Sequence, residues 1–184
     1  SLEKVIGVFK EHDALSYTTI LASTDNSPPG EQYLAPFVAA TLGDSFARRG
    51  RDVLIVFDDL TKHAWAYRQL SLLLERSPGR EAYPGDIFYV QTQLMERAGR
   101  LNKASGGGSM TFFGIAETLQ GDMTGYIPSN LISMCDGQVY FSTSMFGEGM
   151  RPAIDFGLSV SIIGGKDQPP ALRELSRSLR ADYQ

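Results

Sequence analysis

Apolar positions recur along this chain with two spacings, and they divide it into helical and extended segments. Leu2, Val5, Ile6 and Phe9 fall at i, i+3, i+4 and i+7, which predicts an amphipathic helix ending near Glu11. Tyr17 to Ser23 is β-rich and apolar and reads as a short strand, followed by a loop at Asp25-Asn26-Ser27-Pro28-Pro29-Gly30. Leu34, Phe37, Val38, Leu42 and Phe46 mark a second helix stopped by Gly50. Five apolar residues then run without a break from Val53 to Phe57, bounded by Asp52 and by Asp58-Asp59. Such a run predicts a strand buried on both faces, the usual state of a parallel sheet in an α/β domain.

Beyond this strand the spacing predicts a mostly buried helix over 61–75 with Trp65, Leu70, Leu72 and Leu73 inward. Ser77 to Gly85 carries two prolines and two glycines and is irregular. Asp86 is placed to cap a helix reaching about Leu101, with Ile87, Phe88, Val90, Leu94 and Met95 inward. Ser105-Gly106-Gly107-Gly108-Ser109 reads as a flexible connection before a strand over 110–117 that ends in Glu117. A turn at 121–125, a helix over 127–134 with Pro128 in its first turn, and strands over 139–142 and 156–163 follow. A last helix over 170–183 exposes Arg173, Arg177 and Arg180. Strands alternating with helices argue for a mostly parallel, right-handed α/β sheet, with no internal repeat and no linker that splits the chain.

Composition narrows the function classes. The 184 residues suffice for one domain with a sizeable core. A net charge of −4 supplies no basic face for nucleic acid or an anionic membrane. One cysteine, Cys135, leaves no internal disulfide and fits a reducing compartment. With two histidines, His12 and His63, it cannot form a zinc site of the usual spacing. No apolar run is long enough to span a bilayer, so no direct membrane insertion is expected. The chain opens in helical pattern at Ser1 without an initiator Met, which suggests an excised piece.

The candidate chemistry begins at the end of the 53–57 strand. In α/β sheets ligands collect beyond the carboxyl ends of the strands. An acid there can hold a magnesium ion, directly or through water, or it can simply cap the next helix; the pair Asp58-Asp59 leaves both readings open. The Gly-rich stretch at 105–109 is followed by Met110-Thr111-Phe112 rather than by Lys and Ser/Thr opening a helix, so it is not a phosphate loop. No G-x-x-x-x-G-K-[ST] occurs elsewhere in the 184 residues, which leaves half a nucleotide site. Ser159 and Ser161 share a strand face, but no histidine is placed to activate them. Arg68, Arg76, Arg80 and Arg97 read as solvated or interface charges, and Tyr126 and Tyr140 as packing residues.

Longer motifs then coincide. Asp52 to Leu60, Ala66-Tyr67-Arg68-Gln69, Pro78 to Asp86, Gly106-Gly107-Gly108-Ser109, Tyr126-Ile127-Pro128 and Asp136-Gly137-Gln138 closely resemble the α subunits of F-type ATP synthases. Pro152 to Ser161 matches the P-[SAP]-[LIV]-[DNH]-x-x-x-S-x-S signature of rotary ATPase α and β subunits. The Pro-Gly-Arg-Glu-Ala-Tyr-Pro-Gly-Asp run is similar to α rather than β, and fits flagellar and secretion-type ATPases less well.

This resemblance implies a RecA-like P-loop NTPase fold, α/β with a mostly parallel sheet and flanking helices, present incompletely. It implies the later part of a nucleotide-binding domain, with the start of a C-terminal helical domain at about 168–184. The parent would couple ATP synthesis or hydrolysis to hydrogen-ion or other ion transport. In it, α is a non-catalytic, regulatory, Mg- and ATP-holding subunit in a hetero-hexameric ring with β subunits around a central stalk. The ring would lie peripherally on the cytoplasmic face of a membrane or on an organellar matrix side. By position, Asp58 resembles the magnesium-side acid of the Walker B strand, and Arg151 and Pro152 the adenine-side wall. Ser133 and Val160 resemble residues facing the catalytic nucleotide across the α/β boundary. The family's arginine finger follows Ser-x-Ser, and here that position is Ile162. The fragment is expected to be inactive alone, to bind no nucleotide tightly and to self-associate through an exposed strand edge. An interaction-only ring module, and a flagellar or secretion-type ATPase fragment, are the rival readings.

Overall fold

The computed structural model describes residues 2–182, without the side chains of Ser178, Arg180, Ala181 and Asp182. The expectations for Arg180 and Tyr183 therefore lie outside the described residues. In chain order the helices and strands are α1 (Leu2–Glu11), α2 (Pro29–Ala47), β1 (Asp52–Phe57), α3 (Leu60–Leu73), α4 (Ile87–Met95), β2 (Gly99–Arg100) and β3 (Ser109–Gly114). They continue as α5 (Tyr126–Met134), β4 (Gly137–Phe141), α6 (Thr143–Gly147), β5 (Ile154–Ser161) and α7 (Pro170–Asp182). Short 3-10 turns cover 14–16, 80–82, 103–105 and 164–167.

The central pairing is parallel, as the alternation of elements predicts: β1 runs beside β3 in register from Asp52↔Ser109 to Phe57↔Gly114. Two-residue β2 joins the other edge of β3 antiparallel. β4 and β5 form a separate antiparallel hairpin with a register shift between Gln138 and Tyr140. The mixed α/β architecture holds; the continuous parallel sheet resolves into a three-stranded piece and a hairpin among the described residues.

Strand geometry alternates side chains between faces. Val53, Ile55 and Phe57 turn toward α2, whose Gly43 lets the helix sit close: a Cβ there would lie 2.7 Å from Ile55 Cδ1. Leu54, Val56 and Phe113 point the other way and are 53–58% exposed. The expectation of burial on both faces is therefore corrected to one covered face. An unbroken apolar run states that both faces suit burial but cannot state what lies against each.

The core gathers between the covered face and α3, α4 and α5. Leu60, Ile87 and Leu94 are fully buried, each worth about 2 kcal/mol relative to exposure. Phe57 meets Phe112 edge-on at 5.1 Å, and Ile127 and Leu131 bring α5 onto α3 and α4. Helix α3 buries Leu60, His63, Ala64 and Tyr67 rather than the expected stripe; Trp65, Leu72 and Leu73 are 42%, 51% and 71% exposed. Small residues at 64 and 66 let the helix face inward along the Tyr67 side. Phe88 is likewise outward.

Residues 17–23 form no strand among the described residues, and Tyr17 is 82% exposed. Pairing makes a strand, and this segment pairs with none of the described strands. The strand expected to reach Glu117 stops at Gly114, and the helix expected to reach Leu101 stops at Met95.

Asp86 precedes α4 but makes no capping bond. Its Oδ2 instead accepts from Tyr67 Oη and from Arg76 Nη2, both at 2.9 Å, while Arg76 Nη1 donates to Tyr67 Oη at 2.8 Å. The three side chains pin α3, the irregular 77–85 segment and the start of α4 together. Burial pushes the Asp86 carboxyl up, but the hydrogen bonds from Arg76 and Tyr67 and the guanidinium charge outweigh it and hold it below its ordinary value. A lowered carboxyl contributes stability above the ordinary carboxylate range and loses it as pH falls through its folded value. The Asp86 side chain is 37% exposed, so solvent limits the effect to about 1 kcal/mol. Asp86→Asn is expected to lower stability at pH 7 by that amount and to flatten the acid limb of the stability–pH curve below about pH 4. An unchanged acid limb in denaturant titrations would contradict this.

Candidate functional site

The two carboxylates at the end of β1 take different roles. Asp59 has extended backbone (φ −132°, ψ 165°), and its side chain accepts from the Lys62 backbone N–H at 2.7 Å. Its side chain is only 4% exposed, with Lys62 Nζ 3.9 Å away. It is the N-cap of α3, worth about 1 kcal/mol. Asp58, one residue earlier, is exposed, and its carboxylate accepts no hydrogen bond among the described residues.

Backbone bonds fix the end of β1 that carries Asp58. Ile115 N donates to Phe57 O at 3.0 Å, and Leu60 N donates to Ile115 O at 2.9 Å. Glu117 N donates to Thr61 Oγ1 at 3.0 Å, so the segment after β3 is stitched to the first turn of α3. Gly114 permits this approach, since a Cβ there would lie 2.7 Å from Leu60 Cδ1. The peptide joining Asp58 to Asp59 is cis. The result is a carboxylate with free lone pairs at the carboxyl ends of two parallel strands. No group of three or more His, Cys, Asp and Glu gathers to hold a metal among the described residues. Magnesium fits such a place only with ligands from elsewhere, because it keeps most of its waters and takes one or two carboxylates plus phosphate oxygens.

Arg151 and Pro152 precede β5 and border a second feature. A cleft of about 340 Å³ opens between Phe141, Phe146, Pro152 and Ala153. The Arg151 guanidinium lies 3.5 Å from the centroid of the Phe146 ring and donates through Nη1 to Phe146 O at 2.9 Å and Met150 O at 2.6 Å. The cleft walls are hydrocarbon with a cation stacked at the margin, which suits a flat aromatic ligand.

Val160 and Ile162 lie at the opposite end of the hairpin, and Ser133 lies three residues before Asp136, to which Ile162 is bonded. Ser133 is exposed in the last turn of α5 and donates to Asn130 O at 2.7 Å. Val160 pairs with Gln138, and Ile162 N donates to Asp136 O at 2.8 Å, just beyond the end of α5. Ile162 is 65% exposed. The 8 residues of β5 separate this group from Arg151 and Pro152 by roughly 25 Å. The candidate residues thus form three groups: Asp58 on the parallel pair, Arg151 and Pro152 at one hairpin end, and the remaining three at the other.

Both serines of the hairpin serve the backbone. Ser159 Oγ donates to Asp155 O at 2.6 Å and accepts from Tyr140 N at 3.0 Å, filling the register shift, while Ser161 Oγ accepts from Gly164 N at 3.1 Å. Arg68 and Arg80 lie over the rings of Tyr83 and Tyr126, and Arg97 reaches Thr41. Tyr140 Oη donates to Gly121 O at 3.0 Å. Sequence reasoning missed the Tyr67–Arg76–Asp86 cluster, whose members are far apart along the chain, and the burial of His63. No spacing signals either.

The sequence profile of the ATP synthase alpha/beta family, nucleotide-binding domain, matches residues 1–161. ATP synthase subunit alpha 1 of Pseudoalteromonas atlantica is 52% identical over 183 residues, which cover 100% of this chain and 35% of that protein. ATP synthase subunit alpha 1 of Rhodopirellula baltica is 54% identical over 98% of this chain and 36% of its own length. ATP synthase subunit alpha of Dictyoglomus turgidum is 50% identical over 99% of this chain and 36% of its own length. The chain spans about a third of the length of these relatives. With a family match over most of its residues and half-identity to alpha subunits along all of them, the chain belongs to the ATP synthase alpha/beta family, as an alpha-type segment of its RecA-like nucleotide-binding domain.

Proposed function

We propose that this chain is the later part of the nucleotide-binding domain of a non-catalytic α subunit, in a rotary ATP synthase that couples ATP synthesis or hydrolysis to ion movement. The observation that carries the reading is the division of labour at the end of β1: Asp59 is consumed as a helix cap, which leaves Asp58 exposed with free lone pairs beyond two parallel strands. Asp58 holds magnesium, through water or directly, once a nucleotide brings its phosphates. Bound magnesium supplies charge neutralisation at phosphate oxygens.

Arg151 and Pro152, at the mouth of the apolar cleft, form the wall against adenine. Ser133, Val160 and Ile162 face the catalytic nucleotide of a neighbouring β subunit in a hetero-hexameric ring around a central stalk. The ring lies peripherally on the cytoplasmic face of a membrane or the matrix side of an organelle; no described helix is long and apolar enough to cross a bilayer. Residues 168–184 open the helical domain that follows. Ile162 presents hydrocarbon where the family resemblance places an arginine, so a ring built with it lacks that neutralisation of phosphate charge. The bare outer face of β1 and β3 supports self-association of the isolated chain.

The isolated chain is expected to turn over no ATP, and to bind Mg-ATP no better than millimolar, because no phosphate-cradling amide loop is present in the sequence. In the full-length subunit, Asp58→Asn is expected to weaken magnesium-dependent ATP retention roughly tenfold or more. Calorimetry on both proteins checks this. Tight binding by the fragment, or retention indifferent to Asp58→Asn, would overturn it.

A further inference from the structure

We propose that the cleft between the 164–167 turn and the first half of α7 binds phosphate groups. It is an open cleft of about 550 Å³ lined by Lys166, Arg173 and Arg177, with the hydroxyls of Ser161 and Ser176 between them and no carboxylate on its walls. Three cations converge there in a chain of net charge −4. None of the three is in an ion pair among the described residues, where every pair involves other cations. Asp167 and Glu174 neighbour them in sequence but do not line the cleft.

The cleft is built rather than a chance gathering of mobile charges. Arg173 Nε donates to Gly165 O and its Nη2 to Lys166 O, both at 2.6 Å, which fixes the guanidinium plane against the turn and leaves Nη1 for a ligand. Ser176 Oγ donates to Gln168 Oε1 at 3.1 Å and ties the turn to the helix a second time. Gly165 permits the contact: a Cβ there would press within 3.3 Å of Arg173 Cγ and 3.2 Å of Gln168 Oε1. Ser161 accepts from Gly164 N, so its own O–H remains available to donate. A guanidinium held in plane, a second guanidinium, an ammonium and a hydroxyl suit a multiply charged tetrahedral oxyanion. The cavity has room for more than one phosphate. It lies almost wholly beyond residue 161, where the family match ends, so it stands apart from the reading of Asp58.

The test is a titration of the full 184-residue chain with sodium phosphate, tripolyphosphate and magnesium-free ATP, at ionic strength held constant with sodium chloride. The Gly164 and Gly165 amide signals are followed by NMR. Saturable shifts are expected. Lys166→Gln and Arg177→Gln are each expected to weaken binding about three- to fivefold, while the charge-matched Lys103→Gln leaves it unchanged. Arg173 stays in place because it holds the turn. Saturation by ATP and tripolyphosphate at the same residues identifies a nucleotide's phosphate tail as the source; saturation by phosphate with no effect of ATP identifies free phosphate. Linear shifts that chloride reproduces, or affinity indifferent to both substitutions, would overturn the proposal. The titration contains neither magnesium nor a partner subunit, so its outcome is independent of the function proposed for Asp58.

Discussion

Gly106→Ala is expected to destabilise the chain by at least about 3 kcal/mol, and Gly108→Ala by a similar amount, the largest effects of any single methyl group in this fold. Gly106 has φ +116°, where a side chain is strained, and a Cβ would lie 2.3 Å from Arg48 O and 2.7 Å from Arg48 Cα. At Gly108 a Cβ would lie 2.4 Å from both Ala47 O and Arg51 O. The obstacles are backbone atoms, which cannot rotate away as a side chain would. Relief requires separating the 103–108 segment from the end of α2, and with it the start of β3 from β1, whose ladder begins at Asp52↔Ser109. A stretch whose composition suggests a loose connection is therefore a close-packed joint that sets the register of the parallel pair. Denaturant midpoints check this. Gly147→Ala is the comparison, because a Cβ there meets nothing within 4 Å; its expected change is small and favourable, as usual for a helical glycine. If Gly106→Ala and Gly147→Ala have similar midpoints, the joint is not rigid.

Stability is expected to fall by about 3 kcal/mol between about pH 6.5 and pH 4, with His63 responsible. The ring is 3% exposed, stacked 5.4 Å from Tyr33 and edge-on to Phe37 at 5.8 Å. Neither ring nitrogen has a hydrogen-bond partner. Burial lowers its pKa from 6.5 to about 4, and the Tyr33 backbone beside the ring opposes the shift. The unfolded chain takes up a proton near pH 6.5 that the folded chain refuses until about pH 4, so stability is full above this window and lost through it as pH falls. The Asp86 loss follows at lower pH, so the two contributions separate along the curve. His63→Leu is expected to remove the slope and raise stability at pH 5, since it replaces two orphaned polar atoms with hydrocarbon of similar size. A slope that persists in His63→Leu would assign it to other groups.

The Asp58-Asp59 pair marks how far the candidate site was legible. The string identified the end of a strand and two acids, but either acid could cap the helix. The choice rests on backbone direction: Asp59 adopts the extended conformation that aims its oxygen at Lys62 N, and Asp58 is left outward. Ile162 was legible as a departure from a pattern. The cationic cleft beyond it was not, because Arg173 and Arg177 lie on an outwardly ordinary polar helix face. Only the folding back of the 164–167 turn brings Lys166 to them. The strand read at 17–23 failed for a different reason: apolar, β-rich composition permits pairing, but the fold lays this segment against none of the described strands.

By itself the sequence determined the helices with clear periodicity, the Val53–Phe57 strand, the absence of a phosphate-loop motif and the family, because these depend on local spacing and on long specific strings. Only the tertiary structure decided which face of that strand is covered, which acid is free, and that the glycines at 106 and 108 form a joint. It also decided that His63 and Asp86 sit among partners distant in sequence. Each of these is fixed by what a residue is packed against, and contacts between segments many residues apart leave no mark on the local order of hydrophobic and polar positions.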